Sequence, residues 1–208
     1  AHDFVMRLPV LNPLLSELGA VRACEENAHR LFALGRQVMV YPGGDRDAMR
    51  PYRARNEVRF DGRSGFARLA IRAGVPVVPI VTHGAHGTLI VIDDLRWLAR
   101  ASGAERYLRL KVLPLSLSIP WGLTLGPPLP YFPLPSRITT EVLPPMEPPP
   151  KSAADDPEAV RAFARAVETA LQRRLTALAC ERNPVLSRGC RAAERVADNT
   201  IPGTGFRV

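Results

Sequence analysis

The stretch that most constrains this chain is Tyr41-Pro42-Gly43-Gly44-Asp45-Arg46 and the apolar run, Gln37 to Tyr41, that leads into it. Bounded by Gly35 behind and Pro42-Gly43 ahead, that run reads as a buried strand. Pro42 has no N–H to give a ladder and ends the strand. Two glycines then allow a sharp turn and a close backbone approach to a ligand. Asp45 and Arg46 follow at the strand's C-terminal end, where ligands of open α/β sheets usually bind. Taken alone, the stretch reads more readily as an ordinary strand-to-loop turn with solvated charges. Its order with the segments downstream is what gives it weight.

A chain of 208 residues, 46% of them apolar, fits one domain with a sizeable core. There are 28 basic and 20 acidic side chains, for a net charge of +8, and only Lys111 and Lys151 among the basic ones are lysines. Arginine suits bidentate contact with phosphate, so the excess points to an anionic partner. No basic run is interleaved with aromatics, which argues against nucleic acid. Cys24, Cys180 and Cys190 form no C-x-x-C pair. They fit incidental thiols in a reducing compartment better than a disulfide frame or a zinc site. No stretch reaches the roughly 18–20 apolar residues that span a bilayer.

Asn12-Pro13 predicts a helix start, and Leu14, Leu15 and Leu18 give it an apolar stripe. Cys24 to Leu34 reads as a second helix, with Glu25 and Glu26 in its first turn and Gly35 as its stop. Residues 46–61 hold Arg46, Arg50, Arg53, Arg55 and Arg59. They read as a loop that is either a solvated face or a clamp for phosphate. Ser64 is a candidate cap for a helix from Phe66 to Ala73, closed by Gly74. Val75 to Val81 reads as a buried strand whose Pro76 and Pro79 require an edge or strand-end position. Strand, helix, strand in this order predicts an α/β fold with a mostly parallel central sheet flanked by helices.

His83 and His86 lack a third ligand nearby, so a hydrogen-bonding role is expected rather than a metal. Asp93 or Asp94 is a candidate cap for a helix through Leu95, Trp97 and Leu98. Residues 112–125 are apolar and broken by proline. They read as a core strand plus loop, or as a lipid-touching surface with Trp121 at interface level. Arg137 to Leu143 is a further strand, and Pro144 to Pro150 a stiff connector. Asp156-Pro157 starts the clearest helix, with Val160, Phe163, Val167, Leu171, Leu175 and Leu178 at spacings of three and four. The domain so defined is 1–182. The residues beyond it, 183–208, are weakly patterned and expected to be a loosely structured tail.

The ordered set Gly19-Ala-Val-Arg22, Tyr41-Pro-Gly-Gly-Asp-Arg-Asp47, Gly62-Arg-Ser-Gly-Phe-Ala-Arg68 and Val75-Pro-Val-Val-Pro79, with Gly84 beyond, resembles the glycerolipid and lysophospholipid acyltransferase superfamily. The likeness covers roughly residues 4–180 and is nearest to the diacylglycerol and monoacylglycerol acyltransferase branch. It implies a glycerol-phosphate acyltransferase-like fold. It also implies substrate-binding roles for Arg22, Pro42, Gly43, Gly44, Asp45, Arg46 and Pro79. Many members carry Glu where this chain has Gly43, which leans the acceptor towards a neutral hydroxyl.

The superfamily's catalytic motif is a His, four intervening residues and an Asp. Five residues beyond the histidines stand Arg7, Leu34, Thr88 and Val91. The resemblance therefore implies an N-terminally truncated chain, with the motif upstream of Ala1 and this chain by itself inactive. No catalytic residue, metal or cofactor is assigned within it. The intact protein is expected to transfer a fatty acyl group from acyl-CoA or acyl carrier protein to a glycerolipid hydroxyl. It would do so as a peripheral protein at the cytoplasmic face of the membrane. The competing expectation is a non-catalytic lipid- or acyl-binding module on an anionic membrane surface.

Overall fold

The computed structural model describes residues 13, 16–95, 114–126 and 132–182, with the side chains of Asp45 and Arg46 excepted. Its elements in order are α1 (Glu25–Ala33), α2 (Gly44–Ala48), α3 (Gly65–Ala73), β1 (Ile80–His83), β2 (Ile90–Asp93), β3 (Leu115–Ser118), β4 (Gly122–Leu125), β5 (Thr139–Val142) and α4 (Pro157–Arg182). Short 3-10 turns span Tyr52–Ala54, Ala85–Gly87 and Lys151–Asp155.

The long helix α4 organises the packing. Asp156 Oδ1 accepts a hydrogen bond from the Glu158 N–H (2.8 Å), as an N-cap should. Its periodic apolar face buries Val160, Phe163, Ala164 and Val167 against Ala67, Ala70 and Ile71 of α3 and against Phe60 and Ala154. Phe60 meets Phe66 edge to face, with ring centroids 5.3 Å apart. Further along α4, Leu175 and Leu178 pack with Val81 of β1. The α3 helix ends at Gly74, whose φ of +67° suits a left-handed terminus. Ser64 stands at the N-cap of α3 as expected, although its hydroxyl makes no capping hydrogen bond.

Two polar side chains of α4 also do the work of a neighbouring strand. Gln172 Oε1 accepts from Val58 N–H (2.7 Å), and its Nε2 donates to the Asn56 carbonyl (2.9 Å). One turn earlier, Glu168 Oε1 accepts from Phe60 N–H (2.7 Å). The alternate residues 56, 58 and 60 of an extended segment are thereby fixed to successive turns of a helix. Arg174 adds a tie to β5, donating to both carboxylate oxygens of Glu141 at 2.5 and 2.8 Å.

Among the described residues the expected parallel pairing does not form. Residues 37–41 make no ladder with any described strand, and Met39, Val40 and Tyr41 are exposed. Without that first strand the strand–helix–strand unit is not closed. Instead β1 pairs antiparallel with β5, from Ile80↔Val142 to His83↔Thr139, extended by a bridge between Val77 and Met146. The second sheet, β2-β3-β4, is also antiparallel. The fold is mixed α/β with antiparallel pairing.

Pro76 and Pro79 fall ahead of β1, the strand-end placement that proline requires. Of the helix expected around Asn12–Leu18, Pro13, Ser16 and Glu17 are helical and Gly19 follows at φ +83°, while Leu14 and Leu15, the helix expected beyond Leu95 and the tail lie outside the described residues. Cys24 is a free, exposed thiol, whereas Cys180 is disulfide-bonded, so the expectation of incidental thiols fails there.

Gln172→Ala leaves the Val58 N–H without its acceptor. It is expected to lower unfolding free energy in urea by about 1–3 kcal/mol. Arg161→Ala, on the exposed face of the same helix, should stay within about 0.5 kcal/mol. Equal effects would show that Gln172 is not holding the segment.

Candidate substrate site

Tyr41 to Gly44 forms a tight turn, in which the Gly44 N–H donates to the Tyr41 carbonyl (3.2 Å). Pro42 sits at the second position, where its fixed φ suits a turn. Gly44 takes φ +57°, the left-handed region that favours glycine, and opens α2. A second motif closes over this turn. Arg63, from the Gly62-Arg63-Ser64-Gly65 stretch, donates through Nη1 to both the Pro42 carbonyl (2.9 Å) and the Gly43 carbonyl (2.8 Å). A Cβ on Gly44 would come within 2.5 Å of that same nitrogen. A Cβ on Gly43 would run into Asp47 Cβ. The space that a carboxylate-bearing residue at 43 would need is thus taken by Asp47.

The two glycines were expected to offer their N–H groups to a ligand. Gly44's is spent inside the turn, and the carbonyls of Pro42 and Gly43 are held by Arg63. The Gly43 N–H and the side chains beside the turn are what remain for a ligand.

Arg50 is the foremost of these. Its side chain is 9% exposed, with Nη2 3.3 Å from Asp47 Oδ1, while Nε and Nη1 are buried without a hydrogen-bond partner. Burial lowers its pKa from the ordinary value, although Asp47 and Glu57 oppose the shift. A buried guanidinium with two unmade hydrogen bonds is costly unless an anion completes it. Arg50 lines a hollow of about 540 Å³ together with Arg53 and Arg59. The carboxylates around that hollow are already engaged. Asp47 pairs with Arg50, Glu57 pairs with Arg59, and Asp61 and Asp94 have partners as well. Arg53 leans on Asp93 (3.8 Å). Arg55 stacks 4.3 Å above the Tyr52 ring. Most of the arginine-rich loop is therefore a locally paired face; Arg50 is paired as well, through Nη2, but differs in that its buried Nε and Nη1 have no hydrogen-bond partner.

His86 backs this arrangement. Its Nε2 lies 3.2 Å from the Asp47 carbonyl and 3.5 Å from Arg50 Nη2. A carbonyl only accepts, so Nε2 carries the proton and donates to Asp47. Burial first, then Arg50, pushes His86 below the ordinary imidazole range and keeps it neutral at neutral pH. His83 is lowered by burial, then by Arg182, whose Nη1 lies 3.3 Å from His83 Nδ1. Both histidines have hydrogen-bonding roles. Among the described residues no group of three His, Cys, Asp or Glu is placed to hold a metal.

The residues named from sequence are brought together in part. Pro42, Gly43 and Gly44 form one clamped unit, and Asp45 and Arg46 lie on the short helix that follows. Arg22 is exposed just before α1, its carbonyl accepting from Asn27 Nδ2 (3.0 Å). Pro79 is buried and lines a different hollow, with Leu143, Met146 and Arg174. Sequence reasoning did not single out Arg63 or His86 for these contacts. Arg63 stood in a recognised motif, but nothing in its spacing tells which backbone it holds.

Comparison with known proteins follows this geometry. Residues 1–83 match the Acyltransferase family, a span that takes in the turn, Arg50 and Arg63 and ends with β1. An uncharacterized protein of Mycobacterium tuberculosis is 29% identical over 136 residues, 62% of this chain and 38% of that protein. The "DGAT1/2-independent enzyme synthesizing storage lipids" of Bos taurus is 31% identical over 148 residues, 69% of this chain and 41% of that protein. Its Homo sapiens counterpart is likewise 31% identical, over 69% of this chain and 43% of that protein. The chain spans about two fifths of the length of these relatives. No solved structure matches it. The resemblance to the acyltransferase superfamily thus holds.

Gly44→Ala forces an L-residue into the left-handed region, at about 1–2 kcal/mol. It also pushes Arg63 off the two carbonyls, so amide exchange across residues 42–48 should rise in both Gly44→Ala and Arg63→Ala. Exchange that rises in neither would show that the clamp does not hold the turn.

Proposed function

We propose that this chain is part of a lipid acyltransferase that moves a fatty acyl group from acyl-CoA or acyl carrier protein to a glycerolipid-type hydroxyl. The observation that carries the reading is the coincidence of the matched span, residues 1–83, with the clamped turn and the buried Arg50 beside it. The relatives' storage-lipid role supports the same class of reaction.

In the reaction, the acceptor oxygen adds to the thioester carbonyl carbon and the C–S bond breaks. The hydroxyl proton passes through a base to the departing thiolate. His86 donates through Nε2 to the Asp47 carbonyl and His83 Nδ1 lies against Arg182; neither is followed by the Asp of the superfamily motif, and the base is assigned to neither. Arg50, on the wall of the hollow, receives a phosphate of the carrier or the acceptor once the groups that cover its Nε and Nη1 move aside. Arg22, Asp45 and Arg46 are assigned substrate contacts on the resemblance alone, as is Pro79, which lines a separate hollow. The protein works as a peripheral protein at the cytoplasmic face of a membrane. The other reading, a lipid-binding module without chemistry, is favoured by the apolar sheet face described below.

The test is transfer of labelled acyl groups from acyl-CoA by the full-length encoded protein across glycerolipid acceptors. Arg50→Ala should lower kcat/KM by about 10–100-fold, the equivalent of charge-assisted hydrogen bonds worth about 1.5–3 kcal/mol. Arg53→Ala should change little. Binding of acyl-CoA or lipid without turnover, for every acceptor tried, would favour the module and contradict the enzyme.

A further inference from the structure

In the sheet β2-β3-β4, the β3–β4 hairpin is turned inside out. The sheet's register sets Leu115 opposite Leu125, Leu117 opposite Leu123 and Ile90 opposite Leu117. On the face these leucines share, Leu117, Leu123 and Leu125 are exposed, Leu123 to 62%. The opposite face carries Ser116 and Ser118, which are buried, Ser116 completely, and half-buried Thr124. Ser116 and Thr124 satisfy one another there, with their hydroxyl oxygens 3.1 Å apart. An antiparallel sheet with one face in water places polar residues outward and apolar residues on the core. Here the alternation is kept and its sense is reversed.

The surroundings say what the outer face meets. Trp121 stands at the β3–β4 turn, 56% exposed, and Ile119 and Phe132, joined by a hydrogen bond from Phe132 N–H to the Ile119 carbonyl (2.8 Å), are exposed beside it. Residues 112–136 contain no charged side chain. In sequence they are bracketed by cations, Arg106, Arg109 and Lys111 before and Arg137 after. An uncharged apolar surface with a tryptophan at its tip, in a stretch that basic residues bracket in sequence, fits the boundary between lipid headgroups and acyl chains. The net charge of +8 favours an anionic leaflet.

We infer that the outward face of the β3–β4 hairpin docks on an anionic bilayer, with Leu117, Trp121, Leu123 and Leu125 entering at interfacial depth. The depth follows from the backbone. β4 is the edge of its sheet among the described residues, and unpaired edge groups bar it from the dry hydrocarbon layer. The inference gives the membrane contact of the proposed function a surface, and it rests on that reading for the partner's being lipid.

The experiment uses the full-length protein with two kinds of vesicle, phosphatidylcholine alone and phosphatidylcholine mixed with phosphatidylserine. Flotation should be stronger on the mixed vesicles. A Trp97→Phe background leaves Trp121 as the single tryptophan of these 208 residues. Its emission should shift to the blue on binding and be quenched by brominated lipid. Leu123→Ser and Leu125→Ser should each weaken binding on the order of tenfold, while urea midpoints stay unchanged or rise because both side chains are exposed.

Unchanged flotation in these variants would overturn the inference. So would a Trp121 already shielded from aqueous quencher in the free protein, which would mean that another part of the chain covers the face. A dimer in sedimentation that the two substitutions dissociate, without effect on flotation, would assign the face to a second copy instead. Turnover of a short-chain, water-soluble acceptor separates the two readings. Hairpin variants should retain it, and its absence in the unsubstituted protein would count against the acyltransferase while leaving the membrane result intact.

Discussion

One guanidinium fixes the geometry on which the candidate site depends. Arg63 places a single Nη1 between two carbonyls of the turn, at 2.9 and 2.8 Å. The contact is possible because Gly44 has no Cβ and takes a positive φ. Arg63 stands two residues before α3, and α3 is packed through Ala67, Ala70 and Ile71 onto α4. The turn thus inherits its position from the best-packed part of the core. Glu25 and Arg72, 2.5 Å apart, tie α1 to the same helix.

Holding the turn this way changes what it offers. A glycine-paired bend at a strand tip suggests a cradle of backbone N–H groups, but here most of the turn's polar atoms face one another or Arg63. What stands out beside it is Arg50, whose Nε and Nη1 burial leaves without hydrogen-bond partners. A buried cation of this kind is costly to an empty protein and useful to one that binds anions. His86 and Asp47 keep its other side fixed. Neighbouring arginines on the same loop, by contrast, are compensated locally by Glu57, Asp93 and the Tyr52 ring.

Elements whose pattern repeats over several turns were legible in the sequence. The α4 boundaries, its cap at Asp156 and its buried face follow directly from spacing, and so do the Gly74 stop of α3 and the strand at β5. What spacing could not supply was pairing. Residues 37–41 look like a central strand, yet they form no described ladder, so the parallel sheet inferred from them is replaced by antiparallel pairs. The contacts of Arg63 with Pro42 and of Gln172 with Val58 join residues 21 and 114 positions apart. No local rule names such partners. The β3–β4 hairpin shows a further limit: alternation reveals two faces without saying which one water sees. Within the candidate site, Pro42, Gly43 and Gly44 were found from sequence, and Arg50 was visible as one of several arginines. Its burial, which distinguishes it from the others, is a property of the fold.

The most direct measurement is an experimental structure of the protein bound to a non-hydrolysable acyl-CoA analogue. The account predicts a phosphate group within hydrogen-bonding distance of Arg50 Nε or Nη1, with Arg63 still donating to the Pro42 and Gly43 carbonyls. A phosphate held instead by the Gly43 and Gly44 amides, with Arg63 displaced and Arg50 still unpaired, would contradict it.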